Sequence, residues 1–155
     1  MNYVFVLAFG IGIVAGLRSL TAPAAVAWAA HLGSLNLHGS LLAFMGSTGA
    51  VGIFSLLAIG ELIADKLPKT PRRTALAGLS ARILTGGLCG ACLCAAAGKS
   101  LPAGALLGGT GGVIGAFLGY EIRKRLVNRL HIKDFFVAIC EDLVAIGLAY
   151  FLVSR

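Results

Sequence analysis

The sequence predicts an all-α fold, a polytopic transmembrane helical bundle of five or six segments in a single domain over residues 1–155. Three observations carry this. The chain is 58% hydrophobic and 12% charged, with a mean hydropathy of +0.93, so too little polar surface exists to cover a water-soluble globule. Its basic residues gather in two short segments lying between apolar runs. The apolar runs are dense in small residues, with 22 glycines in 155 positions, and small residues are what let helices approach closely in lipid.

Residues 2–17 form the first apolar run, with Gly12 and Gly16 four apart on one helix face. No basic residue precedes it, so it reads as a retained membrane segment rather than a cleaved signal peptide. Arg18 and Ser19 interrupt, Pro23 follows, and an Ala-rich helix resumes over residues 21–32. Twelve residues rise only about 18 Å against a hydrocarbon core of roughly 30 Å. Two readings fit: one long helix kinked near Pro23, or a full span followed by a short half-helix.

Residues 34–40 form a loop without Lys or Arg, and residues 41–64 a second span ending in Glu61 and Asp65. Lys66, Lys69, Arg72 and Arg73, with two prolines, make the following stretch an extended loop. Residues 75–97 form a span carrying Arg82 early and three cysteines late, and Lys99 and Pro102 mark a tight turn. Residues 102–122 follow, with Gly111, Gly115 and Gly119 spaced as a glycine zipper. Helical pattern continues to Ile132 as an amphipathic piece bearing Arg123, Lys124, Arg125, Arg129 and Lys133, and residues 135–153 make the last span.

The net charge of +7 is therefore loop charge. It fits the positive-inside rule, with 66–74 and 123–133 cytoplasmic in a bacterial inner membrane and 34–40, 98–101 and the C-terminus outside. Nucleic-acid binding is not expected, because no soluble basic surface is evident. The same residues (Lys66, Lys69, Arg72, Arg73, Arg123, Lys124, Arg125 and Arg129) are candidates for anionic lipid headgroups. Cys89, Cys92 and Cys94 read as small buried thiols at a helix interface. His31, His38 and His131 are too scattered for a metal site. No cofactor or metal is expected.

An internal repeat is visible. Ala15-Gly-Leu-Arg-Ser-Leu-Thr21 pairs with Ala77-Gly-Leu79 and Arg82-Ile-Leu-Thr85 across a two-residue gap, and Gly60-Glu61 pairs with Gly119-Tyr-Glu121. Matches of Arg, Thr and Glu in one order carry more weight than matches of Gly or Ala in this composition. Repeat 1 spans about 11–67 and repeat 2 about 75–127, leaving an extra C-terminal helix at about 134–154. Both hairpins run in the same direction, as in some transporters.

The candidate site is the set of ionisable residues in or at the lip of the apolar runs. Arg18, Glu61, Asp65, Arg82, Glu121, Glu141 and Asp142 are costly there unless they face one another or a wet cavity, and the proposed topology sets them near one depth at the inner face. Thr21 and Thr85 accompany the two arginines, though hydroxyls in helices commonly bond their own backbone. Glu61 and Glu121 also fit interfacial carboxylates that snorkel to water. Glu141 and Asp142 diverge by about 100° and cannot share a target, so one of them is expected to pair with Arg18 or Arg82. The cluster serves either as a structural clamp or as a polar site for an ion, proton or anionic headgroup.

At Gly16-Leu-Arg-Ser-Leu-Thr-Ala-Pro-Ala24 and Glu61-Leu-Ile-Ala-Asp-Lys-Leu-Pro68 the chain resembles a family of small bacterial membrane proteins catalogued as domain of unknown function 4126. The resemblance implies a polytopic inner-membrane protein and brings no established activity, so no catalytic residue is carried over.

Three functions follow as expectations. The first is a small transporter or channel-like protein for an ion or small anionic solute, using the inner-leaflet cluster. The alternative is a non-catalytic scaffold or subunit that assembles, as a homo-oligomer or with a partner, through glycine-zipper contacts. A lipid-modifying enzyme using Glu61, Asp65 or Glu141 in acid-base work is the third, with no nucleophile motif or phosphate loop to favour it. A non-enzyme is expected.

Overall fold

The computed structural model describes residues 3–65, 76–130 and 133–155. The described residues form six α-helices: α1 (Tyr3–Leu17), α2 (Thr21–His31), α3 (Thr48–Ala64), α4 (Leu76–Ala96), α5 (Leu101–Leu130) and α6 (Asp134–Val153). Three of them, α4, α5 and α6, are long and apolar enough to cross a membrane, while α1 and α3 are shorter apolar helices. The protein is a multi-pass membrane protein.

Helix directions follow from who meets whom. A Cβ at Gly12 would run into the backbone of Gly108, and one at Gly16 into Gly112 and Ala116, so α1 and α5 run parallel. Gly86 meets Gly108 and Gly90 meets Gly104, so α4 runs antiparallel to α5. Only glycine fits at such approaches, since backbone occupies the place of the missing side chain. Helices α1, α4 and α5 thus form the tightly packed centre.

Helix α6 lies against α1 and α2. Leu152 packs at Gly10 while Asp142 reaches Arg18, so α6 runs opposite to α1. Helix α2 turns back from Arg18, because Ser34, Leu35 and Asn36 just beyond it line a cavity of about 250 Å³ together with Tyr3, Val4 and Leu7. Residues 3–31 are therefore a helical hairpin. The single kinked helix is not formed: the chain breaks at residues 18–20, ahead of Pro23, though the first arm has 15 residues rather than the full span of the other reading. Pro23 sits in the first turn of α2, where a missing N–H costs no helical bond.

The span expected over residues 41–64 is shorter. Residues 43–46 make a 3₁₀ turn, and α3 begins only at Thr48. Ser47 sets that start, accepting the Ala50 N–H on its hydroxyl at 3.1 Å, which satisfies one of the donors a helix start leaves open. The turn expected near Lys99 is present. Gly98 adopts φ +63°, and Lys99 N–H bonds Cys94 O at 2.8 Å, the αL stop that glycine favours.

Helix α3 is peripheral. It packs mainly on α2 and the 43–46 turn, and Val51 is its one buried residue. Helix α5 continues past the level of Arg82 and Gly16 as one helix to Leu130, so its basic last turns extend beyond the central packing.

Candidate functional site

The site is built at the end of the bundle where α1 stops. The apolar run breaks at Arg18-Ser19-Leu20, and the amides there must find acceptors outside the helix. Glu61 of α3 supplies them. Its Oε1 accepts from Ser19 N–H at 2.9 Å and Ser19 Oγ at 2.7 Å, and its Oε2 accepts from Leu20 N–H at 2.8 Å. One carboxylate thus takes three donors, next to the positive end of α2. Glu61 is not the snorkelling carboxylate that the sequence allowed. It turns inward because α3 packs on α2 and the break offers it three donors.

Arg18 is fully buried. Its Nη1 is paired with Asp65 at the C-terminal cap of α3, and its Nη2 with Asp142 of α6. Three segments distant in sequence therefore converge on one guanidinium. Burying such charges is costly and is offset only when partners and hydrogen bonds are supplied. Arg18 Nε is buried without a hydrogen-bond acceptor among the described residues.

Arg82, also buried, has a different setting. Its Nε donates to Gly16 O at 3.0 Å and its Nη1 to Gly78 O at 2.8 Å. Gly16 lies in the last turn of α1, where carbonyls lack helical partners. Arg82 thereby ties α4 to the end of α1. Arg18 is thus shared by carboxylates of α3 and α6, while Arg82 donates to main-chain carbonyls of α1 and its own helix.

The other candidates divide. Asp142 joins the Arg18 cluster, while Glu141 points elsewhere and lies 3.8 Å from Arg123 Nη1. This is the divergence expected of neighbours on a helix. Thr21 is buried at the start of α2. Thr85 Oγ1 donates to Ala81 O at 2.9 Å on its own helix. Glu121 was expected at the depth of the cluster and is not there. Ala116 is level with Gly16, so Glu121 stands five residues, or about 8 Å, further along α5. It pairs with Arg125 one turn on, at 2.9 Å, with both side chains about half exposed or more (47% and 67%).

With these contacts in place, comparison with known proteins adds one finding. A family model, described as a domain of unknown function (DUF4126), matches residues 5–154. The chain belongs to the DUF4126 family. No curated protein and no solved structure matches it. The match includes the last helix, so Asp142 and Glu141 lie within the DUF4126 region along with Arg18, Glu61 and Asp65. The family carries no activity to transfer to them.

Of the headgroup candidates, Lys66, Lys69, Arg72 and Arg73 lie outside the described residues. Arg123, Lys124, Arg125 and Arg129 all lie on the extension of α5, with Lys124 and Arg125 exposed. Cys89, Cys92 and Cys94 are buried free thiols within α4, and Cys140 is exposed. Among the described residues no three His, Cys, Asp or Glu side chains converge as a metal ion would require.

Sequence reasoning missed Ser19 and the Leu20 amide. The signal was present, since a serine shortly before a proline inside an apolar run marks a helix start. What covers that start came from a helix 40 residues away.

Proposed function

We propose that this DUF4126 protein is a small transporter or channel-like protein of a bacterial inner membrane, moving an ion or small anionic solute past the Arg18 cluster. It acts as a non-enzyme. The observation that carries this reading is the fully buried Arg18 shared between Asp65 and Asp142. Clustered charges at membrane depth are expensive, and transport proteins are where they are commonly retained. The positive-inside rule, applied to the basic segments 66–74 and 123–133, supports a cytoplasmic face for this end, where they would also attract anionic headgroups.

The expected repeat, about 11–67 and 75–127, is part of this reading, and α2–α3 and α4–α5 would be the hairpins within its two copies. In both, the first helix leaves the charged end and the second returns. The scaffold alternative has less support. Of the zipper glycines, Gly111 and Gly115 are occupied within the chain by α1.

The test is flux of anions and cations into liposomes holding the purified protein, with Arg18→Gln and Asp142→Asn as variants. Flux that both variants abolish while folding is retained supports the reading. An absence of flux for every ion tried, or flux indifferent to both variants, overturns it.

A further inference from the structure

The donors at the α1–α2 break form a recognisable receptor. Two consecutive amides and a hydroxyl lie 2.7–2.9 Å from the two oxygens of one carboxylate, at the positive end of an 11-residue helix. Consecutive amides at a helix start are a ready anion site. Beside them lies the buried Arg18, whose Nε has no acceptor among the described residues. What fills the receptor is the protein's own anion, Glu61, and the Arg18 guanidinium is likewise engaged by Asp65, one turn further along α3.

Both carboxylates ride on the peripheral helix α3. Val51 is the only buried residue of α3, and Leu56 and Ile63 are 72% and 60% exposed. Its outer half is held by Trp28 Nε1–H donating to Ser55 Oγ at 3.0 Å. Beside α3, an apolar groove of about 460 Å³ separates it from α6 and runs along α2 from Thr21 and Leu62 to Ser34 and Ser154. Displacement of the inner end of α3 into that groove would break these contacts and open the receptor.

We propose that Arg18, Ser19 and Leu20 form a phosphate-class oxyanion site, and that α3 closes it with Glu61 and Asp65 acting as built-in substitute anions. This deepens the transport reading by naming its binding step, and it rests on that reading only for its purpose. The exchange is electrically balanced, because an incoming oxyanion replaces carboxylates that leave with α3. Asp142 stays behind on α6 and holds Arg18 in position. The same oxyanion chemistry is carried by free phosphate and by a lipid phosphate whose chains would lie in the groove.

The experiment uses the full chain in detergent and compares wild type with Glu61→Ala, which empties the receptor. Inorganic phosphate and dihexanoyl phosphatidic acid are titrated, with chloride at matched ionic strength as the control. Thermal stability and calorimetry are the readouts. Glu61→Ala should bind one or both phosphates at least tenfold more tightly than wild type, and adding Ser19→Ala should remove most of that gain. A response to inorganic phosphate identifies the free anion. A response to the lipid alone, lost in Ala58→Phe, which fills the groove, identifies the headgroup. Equal phosphate response in wild type and Glu61→Ala overturns the site. Should Glu61→Ala not fold alone, refolding of that variant by phosphate but not by chloride supports the site, and failure of phosphate to restore folding overturns it. Phosphate binding to the variant without wild-type flux would remove the transport reading and leave the site standing. Flux without phosphate binding would do the reverse.

Discussion

Replacing Arg18 with Met keeps most of the side-chain volume and removes the charge that two carboxylates share. Arg18 is fully buried, and the Asp65 and Asp142 side chains are each 10% exposed, so water can do little for the carboxylates left behind. Breaking one buried pair by removing a partner costs about 3–5 kcal/mol. Here two carboxylates lose their shared cation, which argues for the upper part of that range, but both keep further contacts, which argues for the lower. The expected loss is about 3 kcal/mol, on the order of a hundredfold in the folding equilibrium at 1.4 kcal/mol per factor of ten. The assay is reversible unfolding in mixed micelles, followed by the fluorescence of Trp28, the sole tryptophan. The double variant Arg18→Met with Asp142→Leu should recover part of the loss, because apolar replacement of a buried ion pair is often neutral or better. A single variant within about 0.5 kcal/mol of wild type, the usual range for uninvolved surface positions, would refute the reasoning. So would a double variant no more stable than the single.

Gly108→Ala should destabilise by at least the roughly 1–3 kcal/mol typical of overpacking, since its Cβ would overlap the Gly86 carbonyl. Gly52→Ala, with nothing within 4 Å, should be neutral or stabilising by up to about 1 kcal/mol, and the same unfolding assay compares them. In the native protein, a lipid-soluble maleimide should modify Cys140 and spare Cys89, Cys92 and Cys94 until denaturation, as mass spectrometry of the digested protein would read. Thr85→Val should change stability by no more than about 0.5 kcal/mol, because its hydroxyl serves only its own helix. Tags inserted at residues 70 and 131 should be protected together in sealed vesicles, on the side opposite a tag at residue 36.

The membrane class and the extent of most helices were legible because hydropathy and length are local properties. Spans expected at 75–97 and 135–153 appear as Leu76–Ala96 and Asp134–Val153. The start of α3 was misjudged because apolar content runs unbroken through Leu41–Met45, and only the Ser47 cap separates the turn from the helix. Arg18, Asp65 and Asp142 were visible as misplaced charges, and the split between Glu141 and Asp142 followed from helical spacing. Glu121 was misplaced because its depth was inferred from a span taken to end near residue 122, whereas α5 runs on as one helix to Leu130 and carries Glu121 past the level of Gly16.

By itself, then, the sequence determined that the chain must live in a membrane, where most of its helices lie, and that Arg18, Asp65 and Asp142 could not be left to water. Each of these depends on the chemistry of a residue and its near neighbours. Only the tertiary structure decided that residues 3–31 turn back at Arg18, that Glu61 faces inward, that Arg18 takes Asp65 and Asp142, and that Arg82 reaches the Gly16 carbonyl. The reason is that a buried ionisable group or an orphaned amide states a need without naming what meets it. The partner is whichever group the packing of distant helices brings within 3 Å. For Ser19 and Leu20 that group is Glu61 of α3, more than 40 residues further along the chain.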